Sequence, residues 1–184
     1  MDKPHNFYKN TYHHLYNRGA NKQKIFFSRD NYLYFLRRLR YYKNKYQIEI
    51  LAYCLMQNHF HLFVHQLTVE YTILEFISSL LNSYSKSVNR SYNRSGTLFE
   101  SKTKNRHIQD EVYFKWVIKY ILENPVKAGL VNQITNWEYS NAKELFGLRN
   151  GNLTDLQEIK SFFQDEVVMK DFLANRKIKS AYEI

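Results

Sequence analysis

Two histidines two residues apart, His59 and His61, stand in the apolar run Cys54-Leu-Met-Gln-Asn-His-Phe-His-Leu-Phe-Val-His65. Side chains alternate faces along a strand, so these imidazoles point the same way while Phe60, Leu62 and Val64 point into a core. Two imidazoles side by side on a rigid strand can share one metal ion. A second segment, Tyr120-Ile-Leu-Glu-Asn-Pro-Val-Lys-Ala-Gly-Leu-Val131, can complete such a site. It offers a tyrosine and, one helical turn later, Asn124. On a helical wheel Phe114, Val117, Ile118 and Ile121 form an apolar stripe and Lys115, Lys119 and Glu123 an exposed one. Tyr120 falls at the margin between them, with Asn124 above it near the helix end set by Pro125.

The chemistry that suits these groups is phosphodiester cleavage by a tyrosine. A divalent ion held by His59, His61 and an amide oxygen polarises the scissile phosphate, and the tyrosine hydroxyl attacks phosphorus to give a covalent intermediate. A free tyrosine, with a pKa of about 10, is a poor nucleophile without help. The phosphotyrosine link conserves the ester bond, so a DNA 3′-hydroxyl can displace it and rejoin strands. Each residue also has a plainer role. A lone His-x-His on a strand is more often packing than metal, and Tyr120 is one of 16 tyrosines. His65 shares the histidine face but suits a supporting or structural role, and His13, His14 and His107 suit ordinary hydrogen bonds. The combination carries the metal–tyrosine reading.

The elements that must position these groups follow from periodicity and punctuation. A short strand over Tyr12–Arg18 runs into a glycine turn at 17–21. Asp30 is placed to cap a helix over 31–45. Ile48–Gln57 and Asn58–Gln66 read as paired antiparallel strands, the first apolar on both faces and therefore covered on both. Thr72 to about Asn89 has helical core spacing. An extended segment ends near His107, and Asp110 opens a helix over 111–123 that Pro125 stops. A turn and a short helix are expected over 137–145 and one or two ordinary helices over 155–176. The order predicts an α+β fold: a ferredoxin-like βαββαβ antiparallel sheet with two helices on one face. An additional catalytic helix lies on the other face, and a helical C-terminal extension follows.

Composition bounds the partners. The 184 residues suit one domain with a small appendage. A hydrophobic content of 44% supports a real core, and net charge is +10. The excess sits in two blocks: eleven Lys/Arg against Asp2 and Asp30 in residues 1–45, and six against Glu100 in residues 86–107. Such blocks suit a nucleic-acid footprint. The single cysteine, Cys54, excludes an internal disulfide. No apolar run approaches the 18 or so residues that span a bilayer. A cytoplasmic protein without a membrane partner is expected.

The segments Asn17-Arg-Gly, Ala52-Tyr-Cys-Leu-Met-Gln-Asn-His-Phe-His-Leu, Gly96-Thr-Leu-Phe-Glu-Ser-Lys and Tyr120-Ile-Leu-Glu-Asn-Pro-Val-Lys-Ala-Gly-Leu-Val resemble the Y1 tyrosine transposases of the IS200-like group, nearest the branch associated with repetitive extragenic palindromes. The resemblance covers about residues 11–147. It implies a ferredoxin-like domain over 1–147, with 148–184 an extension of unassigned role. It implies His59, His61 and Asn124 as ligands of Mg²⁺ or Mn²⁺ and Tyr120 as the nucleophile. Its substrate is single-stranded or hairpin DNA, handled by a bacterial, nucleoid-associated monomer or homodimer. Arg18, Asn58, Arg94, Lys102, Lys104 and Arg106 are then the candidate DNA contacts. Gln57 stands where the family usually has proline, Leu122 where it often has histidine, and Lys102 where arginine is common. Truncation after Leu148 is expected to leave the chemistry intact, because the motifs end by then. The rival readings are a non-catalytic nucleic-acid-binding protein with aromatic stacking platforms and a metal-dependent hydrolase that uses water.

Overall fold

Strict alternation in the central strands decides the architecture, since each strand gives one set of side chains to each face. A computed structural model describes residues 9–175. Strands β1 (Thr11–Arg18), β2 (Ile48–Met56), β3 (His59–Gln66) and β4 (Lys104–Ile108) form one antiparallel sheet in the order β2-β3-β1-β4. Helices α1 (Arg29–Lys45) and α2 (Ile73–Ser91) connect β1 to β2 and β3 to β4. This is the ferredoxin-like βαββαβ plan the sequence predicts. Phe60, Leu62 and Val64 meet α1 and α2 in one core, with Leu15, Phe35, Leu39, Phe76 and Tyr84. On the opposite face Ala52, Cys54 and Phe63 meet α3 (Glu111–Lys127) through Phe114, Val117, Ile118 and Ile121. The histidine face of β3 is therefore the α3 face.

Local signals set the helix starts. Thr72 Oγ1 accepts from the Glu75 N–H, and Glu75 returns the bond to the Thr72 N–H at 2.8 Å, a reciprocal cap that opens α2. For α1 the cap is Ser28 rather than the expected Asp30. Asn31 Oδ1 accepts from the N–H groups of Phe27 (2.9 Å) and Ser28 (3.2 Å), which starts the helix earlier. Asp30 lies inside the first turn, where its charge suits the positive helix end.

Two expectations for α3 are corrected. The helix does not stop before Pro125 but runs to Lys127. Proline lacks the N–H that would bond the Ile121 carbonyl, and the Asn124 side chain covers the gap. Its Nδ2 donates to the Tyr120 carbonyl at 2.9 Å and reaches the Ile121 carbonyl at 3.4 Å. Lys119, expected on the exposed stripe, is 1% exposed. Its ammonium donates to the carbonyls of Phe172 (2.8 Å), Leu173 (3.2 Å) and Asn175 (2.9 Å) and pairs with Glu123 at 3.1 Å.

Those carbonyls end α6 (Glu166–Ala174), which follows α4 (Ala142–Leu145) and α5 (Leu156–Ser161). Ile159, Phe163, Met169 and Leu173 join the α3-side core, and Leu153 joins the other. The segment between α3 and α5 also covers the β2 edge. The N–H of Leu55 donates to the Tyr139 carbonyl (2.9 Å), that of Tyr53 to Asn141 Oδ1 (3.0 Å) and that of Asp155 to the Ile50 carbonyl (2.9 Å). One edge of the sheet is thus closed, while the β4 edge carries Lys104 and Arg106. No helix among the described residues is long and apolar enough to cross a membrane.

Candidate active site

At the start of β3, His59 and His61 project toward α3, their ring centroids 5.2 Å apart and nearly perpendicular. Tyr120 stands over the pair, its ring edge-on to His61 at 5.5 Å. A cleft of about 540 Å³ opens here and brings together His59, His61, Tyr120 and Asn124.

Hydrogen bonds aim the nitrogens. His59 Nδ1 lies 2.8 Å from Asn58 Oδ1. Asn58 is itself oriented, because its Nδ2 donates to the Lys22 carbonyl at 3.1 Å. Asn124 presents its amide oxygen to His59, its Nδ2 being held on the Tyr120 carbonyl. His59 therefore faces two amide oxygens, and a neutral imidazole has only one N–H to give. With that N–H on Asn58, Nε2 of His59 keeps its lone pair and is the atom a cation would use. His61 repeats the pattern. Its Nδ1 lies 3.0 Å from His14 Nε2, which leaves Nε2 as its remaining ligand atom. Neighbours that hold the other ring nitrogen are the usual support for a metal-binding histidine. Two imidazoles and an amide oxygen thus fit a divalent ion that keeps open positions for substrate. Among the described residues no group of three or more His, Cys, Asp or Glu is placed to hold a metal.

The electrostatics favour neutral rings. Burial, then His14 and His59, hold His61 well below the ordinary imidazole range. Burial lowers His59 also, opposed by its bond to Asn124 and assisted by Arg18. Burial and then Arg106 push His14 down to about 3. Neutral imidazole is the form that binds metal. Burial, then Tyr16, raise the Tyr120 hydroxyl and keep it protonated, so any attack from this oxygen would need activation.

Of the six candidate DNA contacts, Arg18, Asn58 and Lys104 line the cleft. Arg18 forks onto Glu100, with Nη2 to Oε1 at 3.0 Å. Asn58 holds His59 and the β2–β3 turn. Arg94, Lys102 and Arg106 lie outside the cleft. Arg94 sits over Phe27 at 5.4 Å, Arg106 over Tyr113 at 4.7 Å, and Lys102 is exposed. His65 stands farther along β3, its Nδ1 2.7 Å from Glu158 Oε1, which also accepts from the Tyr12 hydroxyl at 2.9 Å. It joins α5 to the sheet.

Sequence reasoning missed His14 and Tyr16. His14 makes the expected hydrogen bond, but its partner is His61: it is buried and meets that ring edge to edge, with centroids 5.2 Å apart. Tyr16 pairs across strands with His61, its ring 5.7 Å away, and lines the cleft. The available signal was the alternation Tyr12, His14, Tyr16, which shares one strand face.

A family model described as "Transposase IS200 like" matches residues 7–124. Among solved structures the chain is similar to a REP-associated tyrosine transposase bound to a REP hairpin, with 17% identity and a TM-score of 0.68, over 84% of this chain and 94% of that one. It is also similar to a candidate transposase from Deinococcus radiodurans R1, with 14% identity and a TM-score of 0.46, over 63% of this chain and 92% of that one. No curated protein matches the chain.

Proposed function

The chain belongs to the IS200-like transposase family, and from that membership we propose that it is a metal-dependent endonuclease and strand transferase acting on single-stranded or hairpin DNA through a 5′-phosphotyrosine at Tyr120. The observation that supports this reading is the convergence of two oriented imidazoles, an oriented amide oxygen and a tyrosine in one cleft. The hairpin bound by the similar transposase supports the substrate class.

His59, His61 and Asn124 would hold the ion. When bound, it supplies positive charge against the scissile phosphate and offsets the charge that builds there. Two imidazoles and one amide oxygen suit Mn²⁺ better than Mg²⁺, which favours carboxylates and water. Tyr120 Oη attacks phosphorus. The Oη–P bond forms as the P–O3′ bond breaks, and the phenolic proton ends on the released 3′ oxygen. Attack by another 3′-hydroxyl reverses these changes, returns the proton to Tyr120 and joins new strands. Lys104 and Lys22 line the cleft and carry the charge to guide a phosphate chain into it. All four site residues belong to one chain, so one copy can build one site.

A single-stranded or hairpin oligonucleotide labelled at its 3′ end tests the proposal. In Mn²⁺ the protein should form a labelled adduct that survives denaturation. Tyr120→Phe should abolish the adduct while retaining DNA binding. The rival nucleophile is Tyr16, the other tyrosine that lines the cleft. An adduct that persists in Tyr120→Phe and vanishes in Tyr16→Phe reassigns the nucleophile. Tight binding with no adduct and no cleavage identifies a non-catalytic binding protein. Cleavage without any adduct identifies a hydrolase that uses water.

A further inference from the structure

The end of the α1–α2 layer carries an aromatic pair that the cleft does not use. Phe27 and Tyr92 are 37% and 40% exposed, with ring centroids 4.7 Å apart. They are nevertheless fixed. Asn31 Oδ1 accepts from the Phe27 N–H at 2.9 Å and from the Tyr92 hydroxyl at 3.1 Å. The Arg94 guanidinium lies 5.4 Å from the centre of the Phe27 ring, and its Nε has no hydrogen-bond partner among the described residues. Two exposed rings held in place beside a guanidinium form a surface suited to a flat, anionic partner.

Its position says which partner. The N–H groups of Ile25 and Phe26 donate to the Gln57 carbonyl at 2.8 and 3.1 Å, and Asn58 binds the Lys22 carbonyl. The turn that leads into His59 thus anchors the segment that carries Phe27. At 3.8 Å per residue Phe27 lies within roughly 20 Å of His59 along these contacts. Arg29 begins α1 and Arg90 lies in the last turn of α2, so the flanks are basic, with Asp30 the acid in the first turn of α1. Two rings offer far less area than a stable protein interface requires, whereas one unpaired base needs only a ring face and a nearby cation.

We propose that Phe27, Tyr92 and Arg94 form a stacking platform for an unpaired base of the DNA strand that enters the cleft. The proposal rests on the strand-cleaving reading and deepens it, assigning contacts to the single-stranded flank rather than to the duplex stem. Binding is measured in the Tyr120→Phe protein, so that no cleavage intervenes. The probes are a hairpin with a single-stranded flank, carrying 2-aminopurine at successive flank positions, and the same hairpin without its flank. One flank position should show strong quenching. Phe27→Ala with Tyr92→Ala should abolish that quenching and weaken flanked-hairpin binding by about 5- to 150-fold, the range for losing one stacked base. Binding of the flankless hairpin should not change. Tyr92→Phe keeps the ring and should keep the quenching. Equal loss on both probes, no loss on either, or a Tyr92→Phe defect as large as that of Tyr92→Ala overturns the platform alone. Failure of the Tyr120→Phe protein to bind either hairpin overturns the platform together with the function it rests on.

Discussion

The side chain placed to decide which nitrogen of His61 is left free is His14, which does not line the cleft. The 3.0 Å contact between His14 Nε2 and His61 Nδ1 admits two proton arrangements. If His14 gives the proton, His61 must carry its own on Nε2, which blocks a metal. If His61 gives it, Nε2 is free, and the proton of His14 sits on Nδ1, a buried atom with no partner among the described residues. A metal on His61 Nε2 would require the second arrangement. Replacing His14 with phenylalanine should lower metal affinity by about 10- to 100-fold, measured by calorimetric titration with Mn²⁺. His14→Gln, whose amide oxygen can accept from His61, should restore part of it. Equal affinity in all three proteins would reduce His14 to packing. The same residue sets an acid limit. Its folded pKa of about 3 lies below the ordinary imidazole value of 6.5, so the unfolded chain binds more protons between them. Stability from this group is complete above pH 6.5 and falls as pH drops toward 3, by at most about 1.4 kcal/mol per pH unit. Denaturant melts should show a shallower acid limb in His14→Phe. The pairing of His59 with His61 was legible because the strand repeat is two residues and needs no tertiary information. The role of His14 was not, because its partner lies 47 residues away.

Helix α3 shows where local rules meet tertiary contacts. Its cap at Asp110, its apolar stripe and the marginal position of Tyr120 all follow from periodicity. Its last turn does not. Proline predicts a stop, yet the neighbouring Asn124 amide bonds the last carbonyls and the helix continues, which also turns the Asn124 oxygen toward His59. One side chain thus repairs the helix and serves the site. Lys119 departs from its wheel position for a different reason. Its partners lie 53 to 56 residues onward, at the end of α6, and nothing nearby in the chain signals them. Its ammonium meets three carbonyl oxygens and Glu123 in the turn that carries Tyr120. Lys119→Met keeps the length of the side chain and removes the charge, leaving those oxygens and the carboxylate without a cation. The expected cost is about 3–5 kcal/mol, as for breaking a buried ion pair, read as a lower urea midpoint. Amide exchange should quicken across both α3 and α6. Faster exchange in α6 alone would show that α3 does not depend on this contact.

At the scale of the molecule, the two faces of the sheet divide the work: α1 and α2 bury the larger core, and α3 brings the tyrosine to the histidines. The segment after Leu148 is part of this arrangement, since α5 and α6 place Ile159, Phe163, Met169 and Leu173 against the α3 side. Truncation there, harmless by the extent of the motifs, should instead expose that core and give aggregated protein or a lowered, broadened melt. Charge follows the same division. Residues 151–184 hold five basic and six acidic residues, while the excess lies in residues 1–45 and 86–107. Those two blocks supply Lys22 and Lys104 in the cleft, Arg106 on the open β4 edge, and Arg90 and Arg94 at the end of α2. A strand crossing from one to the other would neutralise roughly four to six phosphates, and log affinity should fall against log salt with a slope of about −3 to −5. Lys102→Ala and Arg106→Ala should each flatten that slope by about one unit if each meets one phosphate. Fluorescence anisotropy over a salt series measures both, with hairpin, unstructured and duplex probes. The hairpin with a flank should bind best, because a tyrosine on a packed helix cannot reach into a stiff duplex and an unpaired strand bends toward it. Equal affinity for the three probes, or a flat salt response, would separate the basic blocks from substrate recognition.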